Sequence, residues 1–285
     1  RAKYSLIVNA DGGIIDDLIV YRFDAERFLI IANAGNRAAV SAALRERVSG
    51  FDCELVDRSD EFALLAIQGP RAVEILQRLT DASLSELKYY SIFESFVNGE
   101  HAYLARTGYT GEDGFEILIA ADHAAPLWRK LLELGQPEGI IPAGYACRDT
   151  LRLEAGMPLY GNELGLDTTP FEAGFARVVR LDHEFVGSQS LSNLAEAAPK
   201  KKLVGLIGEG KRAARAHYEL FASESDASPI GEITTGALSP TLGYPIAMAY
   251  VNADQAEVGT ELWADVRGSR QKMTVVSLPF YKRAK

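Results

Sequence analysis

Cysteine and histidine are both scarce in this chain of 285 residues. The two cysteines, Cys53 and Cys147, lie far apart and form no CxxC pair, so the sequence offers no disulfide framework and suits a reducing compartment. The 4 histidines are too dispersed for the spacing that a metal site requires. We therefore expect a protein that works without a metal ion.

Basic charge is also in deficit, since 30 Lys and Arg against 39 Asp and Glu give a net charge of −9. An acidic surface repels phosphate backbones, which argues against general nucleic-acid binding.

No apolar run approaches the roughly 20 residues that span a bilayer, and no signal peptide is visible. The segment 205–212 nearly matches a P-loop, but Arg212 stands where Ser or Thr would bind magnesium, which excludes nucleotide hydrolysis. The chain starts almost directly on an apolar strand at Tyr4, so we expect that an upstream segment is absent from it.

Apolar periodicity predicts an α+β chain of short strands and helices. The unit that begins at Glu61 has the order strand, helix, three strands, helix, which resembles split βαβ folds. After a polar, basic linker at 195–202, several short strands with turn signals predict a separate C-terminal β-barrel or sandwich. The predicted helices cover 37–48, 71–79, 124–134 and 146–155.

Two adjacent acids, Asp16 and Asp17, interrupt an apolar strand at 14–21. Buried carboxylates are costly without partners, and because side chains alternate along a strand, the two acids point to opposite faces. Asp17 shares its face with Tyr21, about 13 Å away at roughly 3.3 Å per residue, a spacing that suits two ends of one elongated ligand. The glycine-containing segment 9–13 predicts a hairpin turn ahead of this strand. The alternative is that both acids close this hairpin or cap a neighbouring helix.

A glycine-rich turn at 106–116 carries Tyr109 among three glycines and ends at Glu116. Glycine lets a backbone pass close to a ligand. Glu116 precedes an apolar run, so its carboxylate should lie at the edge of a core, where it can accept two parallel hydrogen bonds from a flat N–H pair such as that of a pterin ring. A tight turn with solvated acids is an equally good interpretation.

Arg148 and Arg152 lie four residues apart on a predicted helix, so two like charges are neighbours, which is unfavourable by about 0.2–0.5 kcal/mol. At least one of them should reach a distant carboxylate or an anionic ligand. The alternative is a pair of surface ion pairs through Asp149 and Glu154.

Taken together, these segments resemble the glycine cleavage T-protein family. Long motifs in the right order are far more specific than a lone GxGxxG, and here they extend over essentially the whole chain. The motifs that carry the resemblance are 12–21, 68–70, 108–116, 147–156, 231–236, 239–243 and 278–281.

The resemblance implies a multi-domain folate-binding T-protein fold, with three domains around a central cavity and a C-terminal β-barrel. We expect the remainder of the first folate-binding domain at 1–54 and a split βαβ-like domain at 55–142. A returning segment of the folate-binding region is expected at 143–200 and the barrel domain at 201–285.

The resemblance also implies roles for single residues. Asp17, the second acid of its pair, is the expected catalytic residue, and Glu116 and Arg148 match folate contacts. The further residues expected to contact folate or substrate are Tyr21, Asn33, Tyr109, Tyr89, Tyr90, Tyr281 and Arg283.

The implied reaction moves a one-carbon unit from an aminomethyl-lipoyl carrier protein to tetrahydrofolate, which is a co-substrate. It releases ammonia and gives 5,10-methylenetetrahydrofolate without a redox cofactor or a metal. The implied partner is the lipoylated carrier protein of the glycine cleavage system, with neither nucleic acid nor membrane involved. Bacterial cytoplasm or mitochondrial matrix fits such an aminomethyltransferase.

Three alternatives stay open. A folate-dependent demethylase of a methylated amine or sulfonium would share the folate pocket, although the intact segments 16–21 and 108–116 favour the transferase. A non-catalytic folate-binding protein would carry a cysteine-centred motif near the glycine-rich turn, and this sequence has no cysteine there. A truncated chain that folds but is inactive is the third.

Overall fold

The computed structural model describes residues 1–283. The chain divides into two compact units, one made of 1–4, 19–31 and 37–148, and the other of 5–18, 32–36 and the chain from Asp149 onward. The chain near the start passes from one unit to the other several times. The four consecutive segments expected from the sequence stay a prediction.

The first three strands form a small sheet in the order β1 (Ala2–Val8), β2 (Ile14–Arg22) and β3 (Phe28–Ile31). The predicted hairpin turn joins β1 to β2, and the side chain of Asn9 closes it by accepting hydrogen bonds from the backbone N–H groups of Asp11 and Gly13 at 3.0 and 2.8 Å. Gly13 leaves no room for a side chain, since a Cβ there would lie 1.9 Å from the carbonyl oxygen of Leu166.

The first unit continues with α1 (Arg37–Arg47) and then builds a four-stranded antiparallel sheet. Its elements are β4 (Phe62–Gln68), α2 (Ala72–Gln77), β5 (Ile92–Val97), β6 (Glu100–Ala105), β7 (Gly114–Ala120) and α3 (Ala124–Gly135), with the sheet order β4-β7-β6-β5. Apolar residues of α2, α3 and the strands share one core, in which Leu76, Leu104 and Phe115 are fully buried.

This sheet differs from the split βαβ arrangement that the element order resembles. The strands that α2 connects, β4 and β5, lie at opposite edges with two strands between them, whereas a split βαβ unit has one. The local hairpins explain the difference, because β5, β6 and β7 pair in sequence order. The sequence predicts this strand at 89–96, but β5 begins later, at Ile92, since Tyr90 adopts a positive φ of 61°.

The second unit contains α4 (Tyr145–Glu154) from Asp149 onward and α5 (Ser188–Glu196). Helix α4 agrees with the predicted helix 146–155, whereas α5 was not predicted and extends into the segment interpreted as a linker. Its Leu191 is buried in a core with Val8 and Ile14, which places the α5 segment against the hairpin of β1 and β2.

The C-terminal strands form a closed barrel, which confirms the predicted barrel and excludes a sandwich. The order around it is β10 (Gly231–Leu238), β11 (Pro245–Asn252), β8 (Lys201–Gly208), β13 (Arg270–Val276), β12 (Glu261–Asp265) and β9 (Glu219–Phe221). An apolar core that includes Leu206, Ala249 and Leu262 fills it. Across residues 1–283, every helix is too short or too polar to cross a bilayer.

Candidate functional site

The adjacent acids of β2 have different surroundings. Asp16 is 0% exposed, and Asp17 is half-buried on the opposite face of the strand. The alternation predicted for this segment holds here, since Ile14, Asp16 and Leu18 are buried. The two acids are therefore not equivalent, and only the side chain of Asp17 is accessible to solvent.

Asn33 connects both acids. It lies just after β3, and its side-chain Nδ2 donates hydrogen bonds to Oδ1 of Asp16 and to Oδ1 of Asp17, each at 2.9 Å. The same nitrogen lies 3.0 Å from the backbone carbonyl oxygen of Asp17. Asp16 also accepts from the backbone N–H of Asn33 at 3.0 Å and from Nδ2 of Asn36 at 2.7 Å. Asn33 therefore binds the Asp17 carboxylate. The sequence had indicated only that Asn33 contacts folate or substrate.

Glu116 lies on β7 at the edge of the apolar core of the first unit, as predicted. The hydroxyl of Thr107 donates a hydrogen bond to its Oε2. Burial raises the pKa of the Glu116 carboxyl above its ordinary range, against the opposing effects of the Thr107 hydrogen bond and the positive charge of Arg148. Thr107 was not singled out in the sequence, because a threonine in a turn carries no chemical signal of its own.

Tyr21 is fully buried. Its expected contact with folate or substrate stays a prediction. Its hydroxyl lies 3.2 Å from Oγ1 of Thr107. Burial is the main cause of the raised pKa of the Tyr21 phenol, with the charge of Glu116 adding to it. Tyr21 is therefore a neutral group that supports Thr107, and through Thr107 the carboxylate of Glu116.

The glycine-rich turn is fixed by Gln68 and by an ion pair. Arg106 binds both carboxylate oxygens of Asp113, at 3.0 and 2.5 Å, and Gln68 donates to the carbonyl oxygen of Thr107 at 3.1 Å. A Cβ at Gly108 would lie 1.8 Å from the side-chain oxygen of Gln68, so a larger residue there would displace Gln68 and its hydrogen bond to Thr107. The interpretation of this turn as one with merely solvated acids is wrong for Asp113.

Arg148 lies on α4 and is exposed, with its guanidinium carbon 4.8 Å from the ring centroid of Tyr109. Such a contact places a cation over an aromatic face.

Tyr89 and Tyr90 meet edge to face, with ring centroids 4.9 Å apart. The pKa of Tyr90 is raised by burial, by Tyr89 and by the charge of Glu116. Tyr21, Tyr90, Tyr109, Glu116 and Arg148 thus belong to one unit of the chain.

Arg152 is the arginine that reaches a distant partner. It is 0% exposed and binds Glu163 at 2.8 Å, Asp149 at 2.7 Å and the hydroxyl of Thr235 at 2.8 Å. Glu163 is fully buried as well. The predicted distant contact is therefore confirmed for Arg152, whereas neither Glu163 nor Thr235 gave a sequence signal.

The C-terminal tail meets the end of α4 through Glu154. The carboxylate of Glu154 accepts hydrogen bonds from the hydroxyls of Ser239 and Thr241, and its carbonyl oxygen accepts the backbone N–H of Tyr281 at 2.8 Å. The surface ion pair that we considered for Glu154 is wrong, since this residue is buried. Tyr281 and Arg283 are half-buried in the second unit.

Both parts of the chain match known protein families. The GCVT N-terminal domain matches residues 1–183, and the glycine cleavage T-protein C-terminal barrel domain matches residues 201–282. The chain belongs to the glycine cleavage T-protein family. The second match coincides with the closed barrel, whose first strand in the chain begins at Lys201.

Curated relatives and a solved structure agree with membership of the T-protein family. The aminomethyltransferase of Saccharopolyspora erythraea is 52% identical over 285 residues, which are 99% of this chain and 77% of that protein. That of Streptomyces coelicolor is 53% identical over 291 residues, 100% of this chain and 77% of that protein. The crystal structure of the glycine cleavage system aminomethyltransferase T from Bartonella henselae matches with a TM-score of 0.91 at 36% identity, over 99% of this chain and 76% of that one. These matches confirm the α+β T-protein fold with its terminal barrel.

Proposed function

We propose that this chain is the aminomethyltransferase of a glycine cleavage system, with tetrahydrofolate as co-substrate. The observation that carries the proposal is the identity of 52–53% to curated aminomethyltransferases over essentially the whole chain. In the net reaction the methylene carbon leaves the sulfur and nitrogen of the aminomethyl-lipoyl group and becomes bonded to two folate nitrogens. The protons of those nitrogens end on the released ammonia and on the lipoyl thiol.

Glu116 is the residue that we assign to the pterin ring. An ionised carboxylate offers about four acceptor positions on its two oxygens, and the Thr107 hydroxyl uses one of them. Two parallel N–H groups, such as N3–H and the 2-amino group of a pterin, match the remaining geometry of a carboxylate. Since the Glu116 carboxyl is largely buried, a partner that donates two hydrogen bonds stabilises its charge strongly.

Arg148 and Tyr109 form the second contact. The guanidinium, which lies over the Tyr109 ring, provides a positive charge for the carboxylates of the glutamyl part of the folate. The exposed position of Arg148 suits a ligand that extends toward solvent. Tyr89 and Tyr90 supply further aromatic surface in the same unit.

Asp17 is the residue that we assign to the chemical step. Tetrahydrofolate, when bound, supplies the two nitrogens, N5 and N10, that take the one-carbon unit. A half-buried carboxylate accepts the proton that N10 loses, or stabilises positive charge that develops beside it. The Asn33 hydrogen bond fixes one oxygen of Asp17 and keeps its carboxylate in a single orientation. Tyr281 and Arg283 remain assigned to the substrate side of the site.

The donor of the one-carbon unit in this proposal is a lipoylated carrier protein. The test is formation of methylenetetrahydrofolate and ammonia from tetrahydrofolate and aminomethylated carrier. We expect wild-type chain to form both products, and Asp17→Asn to lower turnover by about 10²-fold or more, the size typical of a lost general base, with only a modest loss of folate affinity. Folate binding without product from this donor would instead support a demethylase of a methylated amine or sulfonium, or a non-catalytic folate binder.

A further inference from the structure

Asp16 is a buried carboxylate for which the reaction itself has no use. It is 0% exposed and lies on the face of β2 opposite to Asp17, so it cannot touch a ligand. An unpaired carboxylate at such a position would be costly. Its burial beside the assigned catalytic acid, with hydrogen-bond partners on several sides, points to a role inside the protein.

The partners of Asp16 are all N–H donors from one short segment. They are the backbone N–H of Asn33 at 3.0 Å, the side-chain amide of Asn33 at 2.9 Å and the side-chain amide of Asn36 at 2.7 Å. The Asn36 amide is anchored further by the backbone carbonyl of Ile15, at 3.3 Å. These groups all lie in the second unit of the chain. Asp16 thus binds both the backbone and the side chain of Asn33.

This arrangement fixes which end of the Asn33 amide faces Asp17. An amide has a donor nitrogen and an acceptor oxygen of nearly the same shape, and its orientation depends on its partners. Because an ionised Asp16 only accepts, the NH₂ group of Asn33 must point toward it. The same NH₂ group then has its second hydrogen directed at Asp17, 2.9 Å away. If the amide were reversed, its oxygen would repel both carboxylates.

We propose that Asp16 is a positioning residue that acts through Asn33, where it fixes the amide orientation that holds the Asp17 carboxylate for the transfer reaction. Asn36 completes the arrangement by holding Asp16. The proposal rests on the function assigned to Asp17 above. The two acids then have different roles. Asp17 contacts the folate, and Asp16 positions the Asp17 carboxylate from the opposite face of the strand.

The test is a double-mutant cycle between Asp16→Asn and Asp17→Asn, with kcat and the KM for tetrahydrofolate measured for each variant. We expect Asp16→Asn to lower kcat by about 10-fold or more, since misplaced catalytic groups are costly, and to leave KM within about 2-fold. In the Asp17→Asn background the same change should have little further effect, because its target is already gone. An unchanged kcat in Asp16→Asn, or an equal loss in both backgrounds, would overturn the proposal.

A buried charge also stabilises or destabilises the fold, so a matched control is needed. Glu163→Gln removes another fully buried carboxylate of the same unit, one that binds Arg152 and Thr235 instead of Asn33. Any loss of kcat in this variant should persist unchanged in the Asp17→Asn background. If Glu163→Gln shows the same coupling to Asp17 as Asp16→Asn does, the effect is general destabilisation and the proposal fails.

Two further measurements keep the proposal testable if Asp16→Asn folds poorly or if Asp17 proves dispensable. The exchange Asp16→Asn with Asn33→Asp restores a donor and acceptor pair but places a carboxylate against Asp17. We expect no recovery of kcat, because the new carboxylate would repel that of Asp17 where Asn33 donates to it. Recovery of kcat would contradict the proposal. The exchange rate of the Asn33 side-chain amide protons, measured by NMR, should rise in Asp16→Asn whatever Asp17 does. A normal turnover of Asp17→Asn would overturn the catalytic assignment of Asp17, and absence of product from wild-type chain would overturn the proposed function. Unchanged amide exchange would overturn the role of Asp16 alone.

Discussion

The hydroxyl of Thr107 donates a hydrogen bond to Glu116 and lies 3.2 Å from the hydroxyl of the buried Tyr21. Thr107 thus connects a neutral phenol to a carboxylate inside one unit. The pKa of the Glu116 carboxyl is nevertheless raised by burial, because one hydrogen bond and the charge of Arg148 only partly offset the loss of water. The charged Glu116 carboxylate therefore destabilises the ligand-free fold, and a ligand that donates hydrogen bonds to it would offset that cost.

Glu116→Gln should weaken tetrahydrofolate binding before it affects the chemical step. The amide keeps the shape of the side chain, but one of its ends is a donor and opposes an N–H group of the pterin. We expect the Kd for tetrahydrofolate to rise by about 10-fold or more, as for a lost charge-assisted hydrogen bond. Isothermal titration calorimetry measures this directly. An unchanged Kd would refute the assignment of Glu116 to the pterin.

The same substitution should stabilise the ligand-free protein at neutral pH. The folded pKa of Glu116 lies above the ordinary value of 4.5, so the folded state binds its proton more tightly than the unfolded state does. The contribution of this group to stability is thus fully present below the ordinary pKa and is lost as pH rises through the folded pKa. We expect Glu116→Gln to melt higher than wild type at neutral pH. The gap should shrink steadily as pH falls toward 4.5, and a gap that widens instead would contradict the raised pKa.

Arg148→Lys should retain the charge but lose the flat contact with Tyr109. A lysine ammonium is a point charge and cannot stack or bind a carboxylate with two parallel hydrogen bonds as a guanidinium does. We expect the KM for polyglutamylated tetrahydrofolate to rise by about 5- to 10-fold, with kcat at saturation near that of wild type. Arg180→Lys, at an exposed arginine paired with Asp182, is the matched control and should leave KM unchanged. An equal rise in both variants would mean that overall charge, and not the Tyr109 contact, sets KM.

Arg152→Leu should destabilise the second unit strongly. It leaves the carboxylate of Glu163 buried without its cation, and removal of one partner of a buried pair costs about 3–5 kcal/mol. Urea unfolding followed by circular dichroism measures the loss. The double variant Arg152→Leu/Glu163→Leu should recover much of it, because no unpaired charge remains. If the double variant is the less stable one, the buried ion pair itself is a net source of stability.

The sequence was most informative where periodicity and composition agreed. Helix α3 was predicted with bounds close to those observed, and the barrel was predicted from its short strands, because these apolar patterns are regular and bounded by turns. Helix α5 was missed since its three serines and Asn193 are typical of turns and caps, and it packs into the core through Leu191. The strand β9 was missed because it has 3 residues and owes its place to barrel closure.

For the site, the sequence could supply residue types but not their contacts. Asp17, Glu116 and Arg148 were selected by motif resemblance, and the alternation of β2 correctly separated Asp16 from Asp17. The same alternation did not predict that Tyr21 is fully buried, since it describes one strand and not what packs on it. Thr107, Asn36 and Glu163 could not be found, because the contacts that give them a role depend on the folded chain and not on a sequence motif.

The closed barrel has a consequence for how this protein behaves at high concentration. Closure pairs every barrel strand on both sides, which leaves no edge for strand addition. The sheet β4-β7-β6-β5 has two edges, and on one of them β5 carries Phe96, which is 63% exposed. An unpaired edge with an exposed aromatic side chain is open to strand pairing between chains, so β5 is one edge at which association at high concentration can begin.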